Sequence, residues 1–312
     1  MIRYIPTLLI LMLCLNATAK PKADDEVLRK HVEHIAGGAE YRNHRNVSRL
    51  NAIADYIKDE MAKYSGDMSI QEFVVNGKKY KNVCASFGPL DAPRIIIGAH
   101  YDVCGDQMGA DDNASGVAGL LELARLFGQA DRSGWEYRID LVAYTLEEPP
   151  YFDTDNMGSA IHAEMLKQKN VPVIGMISLE MIGYFDDAKN SQDYPLGILK
   201  MFYGSRGDYI TVVRRTGGGK FARKFTKKYK HNERRSVTTK VFKAPLKWVP
   251  SISLSDHENY WKYDWSALML TDTSFFRNKN YHEATDTPDT LDYKRMSAVV
   301  TKVFLAIQSM VA

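Results

Sequence analysis

The sequence lacks an apolar run long enough to cross a membrane. The longest such run, 4–15, is shorter than the roughly 20 residues that a spanning helix needs. It follows Arg3 and precedes the small residues 17–19, an arrangement typical of a secretory signal peptide that is cut near Ala19. We therefore expect residues 1–19 to be removed and the mature chain, which has no membrane span, to be secreted or periplasmic.

Cysteine is scarce, with three in 312 residues, and Cys14 falls within the expected signal peptide. The two that remain, Cys84 and Cys104, allow at most one disulfide in an oxidising compartment. The sequence leaves open whether they form that bridge or are two buried thiols that pack as small apolar side chains.

Long blocks of one charge sign are also absent. The formal net charge is +3, and only residues 220–235 are locally basic, which we interpret as a solvated helix face and loop. The chain therefore lacks the kind of basic arm that binds nucleic acid, and we predict no nucleic acid partner.

The chain does have the composition of an ordinary globular protein, with 45% hydrophobic and 25% charged residues. We predict a single domain over 20–312. Two amphipathic helices and a hairpin turning at Asn76–Gly77 come first, and short apolar runs then alternate with helical periodicity. Strands are expected at 94–99, 138–145, 173–181, 197–204, 241–246 and 266–272, and a closing helix at 292–311. This alternation predicts an α/β fold with a mixed, largely parallel central sheet covered by helices on both faces.

Polar side chains follow several of these strands at the point where each strand ends. They are His100, Asp102, Glu147, Glu148 and Glu180, with Tyr281 and His282 on a loop after the last strand. Open α/β sheets bind ligands beyond the carboxyl ends of their strands, so we expect these residues to share one site. Carboxylates collected there would repel one another unless cations neutralised them, and imidazole with carboxylate donors favours zinc over calcium or magnesium.

Two local patterns refine the predicted metal site. Residues two apart in an extended segment point to the same side, so Asp102 can accept the second ring proton of His100 and fix its orientation. The turn GADDNASG at 109–116 projects its polar residues in different directions, and Asn113 or Ser115 can cap the helix that follows. The middle residue of its three polar residues, Asp112, is suited to lie between two metals.

Glu147 and Glu148 are neighbours at a strand end, so their side chains face different ways and should have different roles. One can bind a metal while the other takes protons from metal-bound water.

Five motifs in this order are similar to the M28 family of zinc peptidases, the bacterial leucyl aminopeptidase type. They are HYD, GADDNASG, the EE pair of LEEPPYFDTDNMGS, SLEMIGYF and NYHEATDTPDTLDY, with SDHENYWKYDWSALMLTDT in addition. The resemblance extends from about residue 40 to the end of the chain. It implies a zinc exopeptidase-like three-layer sandwich and an aminopeptidase with two Zn²⁺ per chain that removes amino-terminal residues from peptides.

The resemblance also implies how the metals are held. His100 and Glu180 would hold one zinc, Glu148 and His282 the other, and Asp112 would bridge them. Many members of the family have Asp at the position of Glu180, and the longer side chain here can still reach a metal.

The resemblance implies catalytic roles for three further residues. Glu147 would be the general base that activates a metal-bridging water, Asp102 would orient His100, and Tyr281 would steady the tetrahedral intermediate. Separately from the resemblance, we expect residues 204–262 to contribute to the wall of the substrate pocket.

Two other functions share this resemblance. A glutaminyl cyclase has a similar fold but works with one zinc and lacks the full bridging motif, which GADDNASG supplies here. A non-catalytic binding domain would have lost metal or base positions, whereas every proposed position carries a competent residue. The peptidase therefore remains the preferred interpretation, with a peptide as its substrate.

Overall fold

The computed structural model describes residues 21–232, 237–246 and 249–311. The signal peptide predicted for 1–19 lies outside these residues, as do positions 233–235 of the basic segment. No helix in the described part of the chain is both long and apolar enough to cross a membrane.

The described residues form eight strands and eight α-helices. The strands are β1 (Met68–Val75), β2 (Lys78–Phe87), β3 (Arg94–His100), β4 (Arg138–Tyr144), β5 (Val173–Glu180), β6 (Tyr209–Arg215), β7 (Thr238–Ala244) and β8 (Ala267–Thr271). The helices are α1 (Asp25–Ala36), α2 (Val47–Ala62), α3 (Gly116–Gln129), α4 (Gly158–Gln168), α5 (Leu199–Tyr203), α6 (Gly219–His231), α7 (His257–Trp261) and α8 (Tyr293–Val311).

All eight strands belong to one mixed sheet in the order β1-β2-β4-β3-β5-β8-β6-β7. The central strands β4, β3, β5 and β8 are parallel. The hairpin β1–β2 adds antiparallel pairs at one edge, and its turn has positive φ at both Asn76 and Gly77, as a tight hairpin requires. At the other edge, β6 is antiparallel to β8 and parallel to β7. The predicted mixed, largely parallel sheet is confirmed.

Helices cover both faces of the sheet because its central strands are apolar on both sides. Ile95 and Ile97 pack into the larger core beneath α1, α2, α3, α6 and α8. Ile96, which points the opposite way, packs into a second core with residues of α4 and α7. Alternate residues of a strand face opposite sides, so an uninterrupted apolar strand demands this double cover.

One expected strand is wrong. Residues 197–204 do not form a strand, since Leu199–Tyr203 is a short helix whose Met201 and Phe202 are exposed. The strand in this part of the chain is β6, which pairs with β7 and β8. Helix and strand cannot be told apart by periodicity in a short apolar run, and the β-branched content of β6 was the better signal.

Candidate metal centre

The predicted site residues meet at the carboxyl edge of three adjacent strands. His100 is the last residue of β3 and Glu180 the last of β5, and Glu147 and Glu148 follow closely after β4. These strands are neighbours in the sheet and run parallel, so their ends open onto one cleft.

The first group of side chains surrounds His100. Its Nε2 lies 3.4 Å from Asp112 Oδ1 and 3.4 Å from Glu180 Oε2. Glu147 Oε2 is more distant, at 3.8 Å from the same nitrogen. All four residues are buried.

The second group surrounds His282. Its Nε2 lies 3.2 Å from Asp112 Oδ2 and 3.2 Å from Glu148 Oε2. Asp112 therefore turns one carboxylate oxygen toward each histidine. The structure brings together all five residues that the sequence singled out as metal ligands, and it divides them into two sets that share Asp112.

The geometry of both groups fits divalent cations. Tetrahedral zinc with bonds of about 2.0–2.1 Å separates its ligand atoms by about 3.3–3.4 Å, close to the 3.2–3.4 Å found here. Asp112 Oδ2, Glu148 Oε1 and His282 Nε2 are buried and have no hydrogen-bond partner among the described residues. A buried polar atom without a partner costs about 1–3 kcal/mol, which a bound cation would remove. Imidazole nitrogen with carboxylate oxygen is a donor set that suits zinc.

Negative charge dominates the electrostatics of the site. Burial raises the pKa of Glu147 well above its ordinary value, and the carboxylates of Glu180 and Glu148 add to the shift. Burial and the charge of Asp112 raise the pKa of Glu148 to about 8. Although burial disfavours a charged ring, Asp112 and Glu148 raise the pKa of His282 to about 10. Without a cation, these groups keep protons that a cation would displace.

Asp102 lies between His100 and the backbone of Glu147 and Glu148. Its Oδ1 accepts the backbone N–H of Glu147 at 3.2 Å, and its Oδ2 accepts that of Glu148 at 3.1 Å. His100 Nδ1 lies 3.7 Å from the Asp102 carboxylate and 3.3 Å from the Asp102 backbone oxygen. The residue thus faces the second ring nitrogen of His100 as expected, but its shorter contacts hold the glutamate pair.

The turn that carries Asp112 is anchored on both sides. Asp111 points away from the site, where its Oδ1 accepts the N–H of Gly183 at 3.0 Å. Asn113 Oδ1 accepts the N–H of Gly116 at 3.1 Å, so Asn113 caps α3, one of the two alternatives that the sequence allowed. These anchors leave the Asp112 carboxylate as the group that enters the cleft.

Sequence reasoning missed two residues that support this turn. Asp286 accepts the N–H of Asp111 at 2.9 Å and that of Asp112 at 3.0 Å. The buried guanidinium of Arg42 donates to Tyr101 O at 2.7 Å and to Gly109 O at 2.6 Å. Asp286 lies in the same motif as His282 and could have been suspected. Nothing in the local sequence distinguishes Arg42.

A hydroxyl also positions Glu180. Ser255 Oγ donates to Glu180 Oε2 at 2.8 Å and lies 2.8 Å from Ser178 Oγ. This contact holds the longer glutamate side chain where Oε2 lies 3.4 Å and Oε1 3.5 Å from His100 Nε2. Ser255 is the first residue of the motif SDHENYWKYDWSALMLTDT, but its position in the sequence does not indicate this role.

Tyr281 lines a pocket beside the two groups. Its ring stacks on His282, with centroids 3.8 Å apart and planes at 18°. Burial raises the pKa of its phenol, which therefore stays protonated and can donate a hydrogen bond.

The pocket has a volume of about 270 Å³ and includes Asp112, Glu147, Glu148 and Glu180 in its wall. Its apolar side is formed by Tyr203, Tyr209, Val213, Phe242, Met269 and Phe276. Residues 204–262 supply part of this wall, as expected, and 192–203, 269–276, Pro149 and Phe152 also contribute to it.

The two cysteines of the described chain are free thiols. Cys84 is buried in β2, and Cys104 is partly exposed beside the second group. Burial and the charge of Glu148 raise the pKa of Cys104 to about 11. Of the two states left open by the sequence, the structure has the unbridged one.

Comparison with known proteins places this site in a family context. A sequence profile of peptidase family M28 matches residues 82–307. "Uncharacterized protein YfbL" of Escherichia coli strain K12 is 44% identical over 290 residues, 90% of this chain and 87% of that protein. The "Probable zinc metalloprotease" of Pyrenophora teres f. teres is 34% identical over 131 residues, which cover 39% of this chain and 26% of that protein.

Solved structures share the fold at low sequence identity. The LapA aminopeptidase of Legionella pneumophila has a TM-score of 0.71 at 19% identity, covering 93% of this chain and 73% of that one. A Zn-dependent exopeptidase from Parabacteroides distasonis and a glutaminyl cyclase from Bacteroides thetaiotaomicron each have a TM-score of 0.68 at 18% identity, covering 92% of this chain and 98% of theirs. The predicted zinc exopeptidase-like fold is thereby confirmed.

Proposed function

The chain belongs to peptidase family M28, and from that premise we propose that it is an exported aminopeptidase that works with two zinc ions. Membership supports a zinc-dependent enzyme of the peptidase type. The number of metals, the aminopeptidase specificity, the export and the mechanism are the proposal.

The observation that carries the proposal is the position of Asp112. Its two oxygens lie 3.4 Å from His100 Nε2 and 3.2 Å from His282 Nε2, so one carboxylate serves two sets of donors. Glu180 would complete the first set and Glu148 the second. A one-metal enzyme would leave one of the two sets without a cation. The second set contains buried atoms that have no hydrogen-bond partner among the described residues.

The proposed mechanism uses Glu147 as the general base. When bound, zinc polarises the scissile carbonyl and lowers the pKa of water. Glu147 contacts the His100 group only at 3.8 Å and lines the pocket, so its carboxylate is available to take a proton from the attacking water. Burial raises the pKa of Glu147, and a carboxyl group with a raised pKa can also return the proton to the leaving amine. The phenol of Tyr281 would donate a hydrogen bond to the charge that develops on the carbonyl oxygen.

The pocket supports cleavage at the amino terminus. Its volume of about 270 Å³ lies just below the range of about 300–1,000 Å³ for pockets that hold drug-sized ligands. It therefore suits one side chain with its amino group, and its aromatic and aliphatic wall favours a large apolar side chain. The carboxylates in its wall would receive the free amino group of a peptide.

The test compares the mature chain with Glu147→Gln on amino-acyl p-nitroanilides and on peptides with amino-terminal glutamine. We expect hydrolysis of leucyl and phenylalanyl anilides, two zinc ions per chain, and a decrease of about 10²–10⁴-fold in kcat for the variant with unchanged zinc content. Glu164→Gln, an exposed change on α4, is the matched control.

Two results would contradict the proposal. Full activity of Glu147→Gln would remove that residue as the base. Formation of pyroglutamyl peptide and ammonia by a protein with one zinc would favour a glutaminyl cyclase instead. Amino-terminal sequencing of the exported protein tests cleavage near Ala19.

A further inference from the structure

Cys104 lies beside the second group of donors, outside the set of ligands proposed so far. Its Sγ, a carboxylate oxygen of Glu148 and a ring nitrogen of His282 all lie within 4.8 Å of one another. We propose that Cys104 binds, as a thiolate, the metal held by Asp112, Glu148 and His282. This inference rests on the proposed function, because it needs a metal ion bound in the His282 group.

The backbone on both sides of Cys104 is held in place, so its proximity to the site is built into the fold. Val103 N donates to Arg42 O at 3.2 Å, and Asn43 Nδ2 donates to Gly105 O at 2.6 Å. Asp102, two residues before Cys104, holds the backbone of Glu148 at 3.1 Å. Cys104 and Glu148 are therefore positioned by the same short segment.

Independent atoms in this group point to a bound cation. Glu148 Oε1 and Asp112 Oδ2 are buried and have no hydrogen-bond partner within the described ranges, and their residues are only 4% and 2% exposed. Both carboxylates approach His282 Nε2 at 3.2 Å. The sulfur of Cys104 lies within 4.8 Å of ligand atoms of Glu148 and His282 and forms no disulfide.

A thiolate changes the chemistry of this metal. With Cys104 the group offers a sulfur donor beside the ring nitrogen and the carboxylate oxygens, and zinc binds all three kinds of donor. Sulfur is a soft donor, so it selects zinc, cobalt or cadmium over manganese and magnesium. The thiol proton passes to solvent when the sulfur binds, so charge and atoms balance. The His100 group has no sulfur donor, which makes the two proposed sites chemically distinct.

The test uses cobalt because a cobalt–thiolate bond has a near-ultraviolet charge-transfer absorption that nitrogen and oxygen ligands lack. Apoprotein is titrated with Co²⁺ as wild type, Cys104→Ser and Cys84→Ser. Cys84 is the matched control, since it is the other thiol of the mature chain and is buried in β2. We expect the absorption in wild type and Cys84→Ser, its loss in Cys104→Ser, and roughly tenfold or greater weakening of zinc at one of two sites in Cys104→Ser.

The outcomes separate this inference from the proposed function. Two bound Co²⁺ without the absorption in wild type, or the absorption retained in Cys104→Ser, would overturn the thiolate ligand. One bound Co²⁺ with the absorption would support Cys104 as a ligand and refute the two-metal enzyme. One bound Co²⁺ without it would refute both. Circular dichroism of each variant shows whether it is folded, and Cys104→Ala replaces Cys104→Ser if the serine variant is not.

Discussion

Asp102→Asn tests whether the carboxylate that joins the two sides of the site is needed for metal binding. In the structure each oxygen of Asp102 accepts one backbone N–H, from Glu147 at 3.2 Å and from Glu148 at 3.1 Å. Asparagine keeps the shape of the side chain but has one acceptor oxygen and one NH₂ group. One of the two N–H groups would therefore lose its acceptor and face a donor.

The size of the effect follows from that loss. A hydrogen bond to a charged group contributes about 1.5–3 kcal/mol, which corresponds to about 10- to 150-fold in an equilibrium constant. The lost hydrogen bond helps to hold Glu148 in the position where it faces His282. We therefore expect zinc affinity to decrease by about 10- to 100-fold, which is the range seen for residues that support metal ligands. Activity at saturating zinc should fall less than zinc affinity.

The measurement is competition between the apoprotein and a chromophoric chelator for zinc, with thermal unfolding of the zinc-bound and apo forms alongside. Asp106→Asn is the control, because Asp106 lies in the same segment and pairs with Arg45 at 2.7 Å on the exposed surface. Wild-type zinc affinity in Asp102→Asn, with the fold intact, would refute the role derived for Asp102.

Two further predictions concern the metals. Asp112→Asn should weaken zinc binding in both groups, because one oxygen of Asp112 faces His100 and the other faces His282. Elemental analysis after dialysis measures the bound zinc. Two tightly bound zinc ions in this variant would contradict a bridging role for Asp112. Zinc binding should release protons and weaken as the pH falls, because a pKa of about 10 for His282 and about 8 for Glu148 leaves both groups protonated at pH 7 before the metal enters. The affinity should change by about tenfold per pH unit for each proton released, and calorimetry in buffers of different ionisation enthalpy counts these protons. A pH-independent affinity would contradict this sign.

Much of the fold could be read from local patterns. The Asn76–Gly77 turn, the apolar strands and the closing helix each have a signal within a few residues, so β1–β5, β8 and α8 lie close to their expected places. The region between β5 and β8 was harder, because 197–204 is apolar without being part of the sheet. Its exposed Met201 and Phe202 have no strand partner in the described structure, and pairing, which is a long-range property, decides what is a strand.

The residues of the site also differ in how well the sequence predicts them. The types and order of the ligand residues were visible because each follows a strand end or lies in a recognisable turn. Arg42, Ser255 and Asp286 were not, because they act through contacts with residues far away in the chain, such as the bond from Asp111 N to Asp286, which joins positions 175 apart.

By itself, the sequence determined which donors are available and that strand ends would collect them at one sheet edge, because strand direction and alternation are set by local residues. Only the tertiary structure decided that one Asp112 oxygen faces His100 and the other His282, and that Cys104 comes within 4.8 Å of Glu148. Such distances are fixed by how separate segments pack and hydrogen-bond, and a shift of one ångström in that packing would change which atoms share a cation.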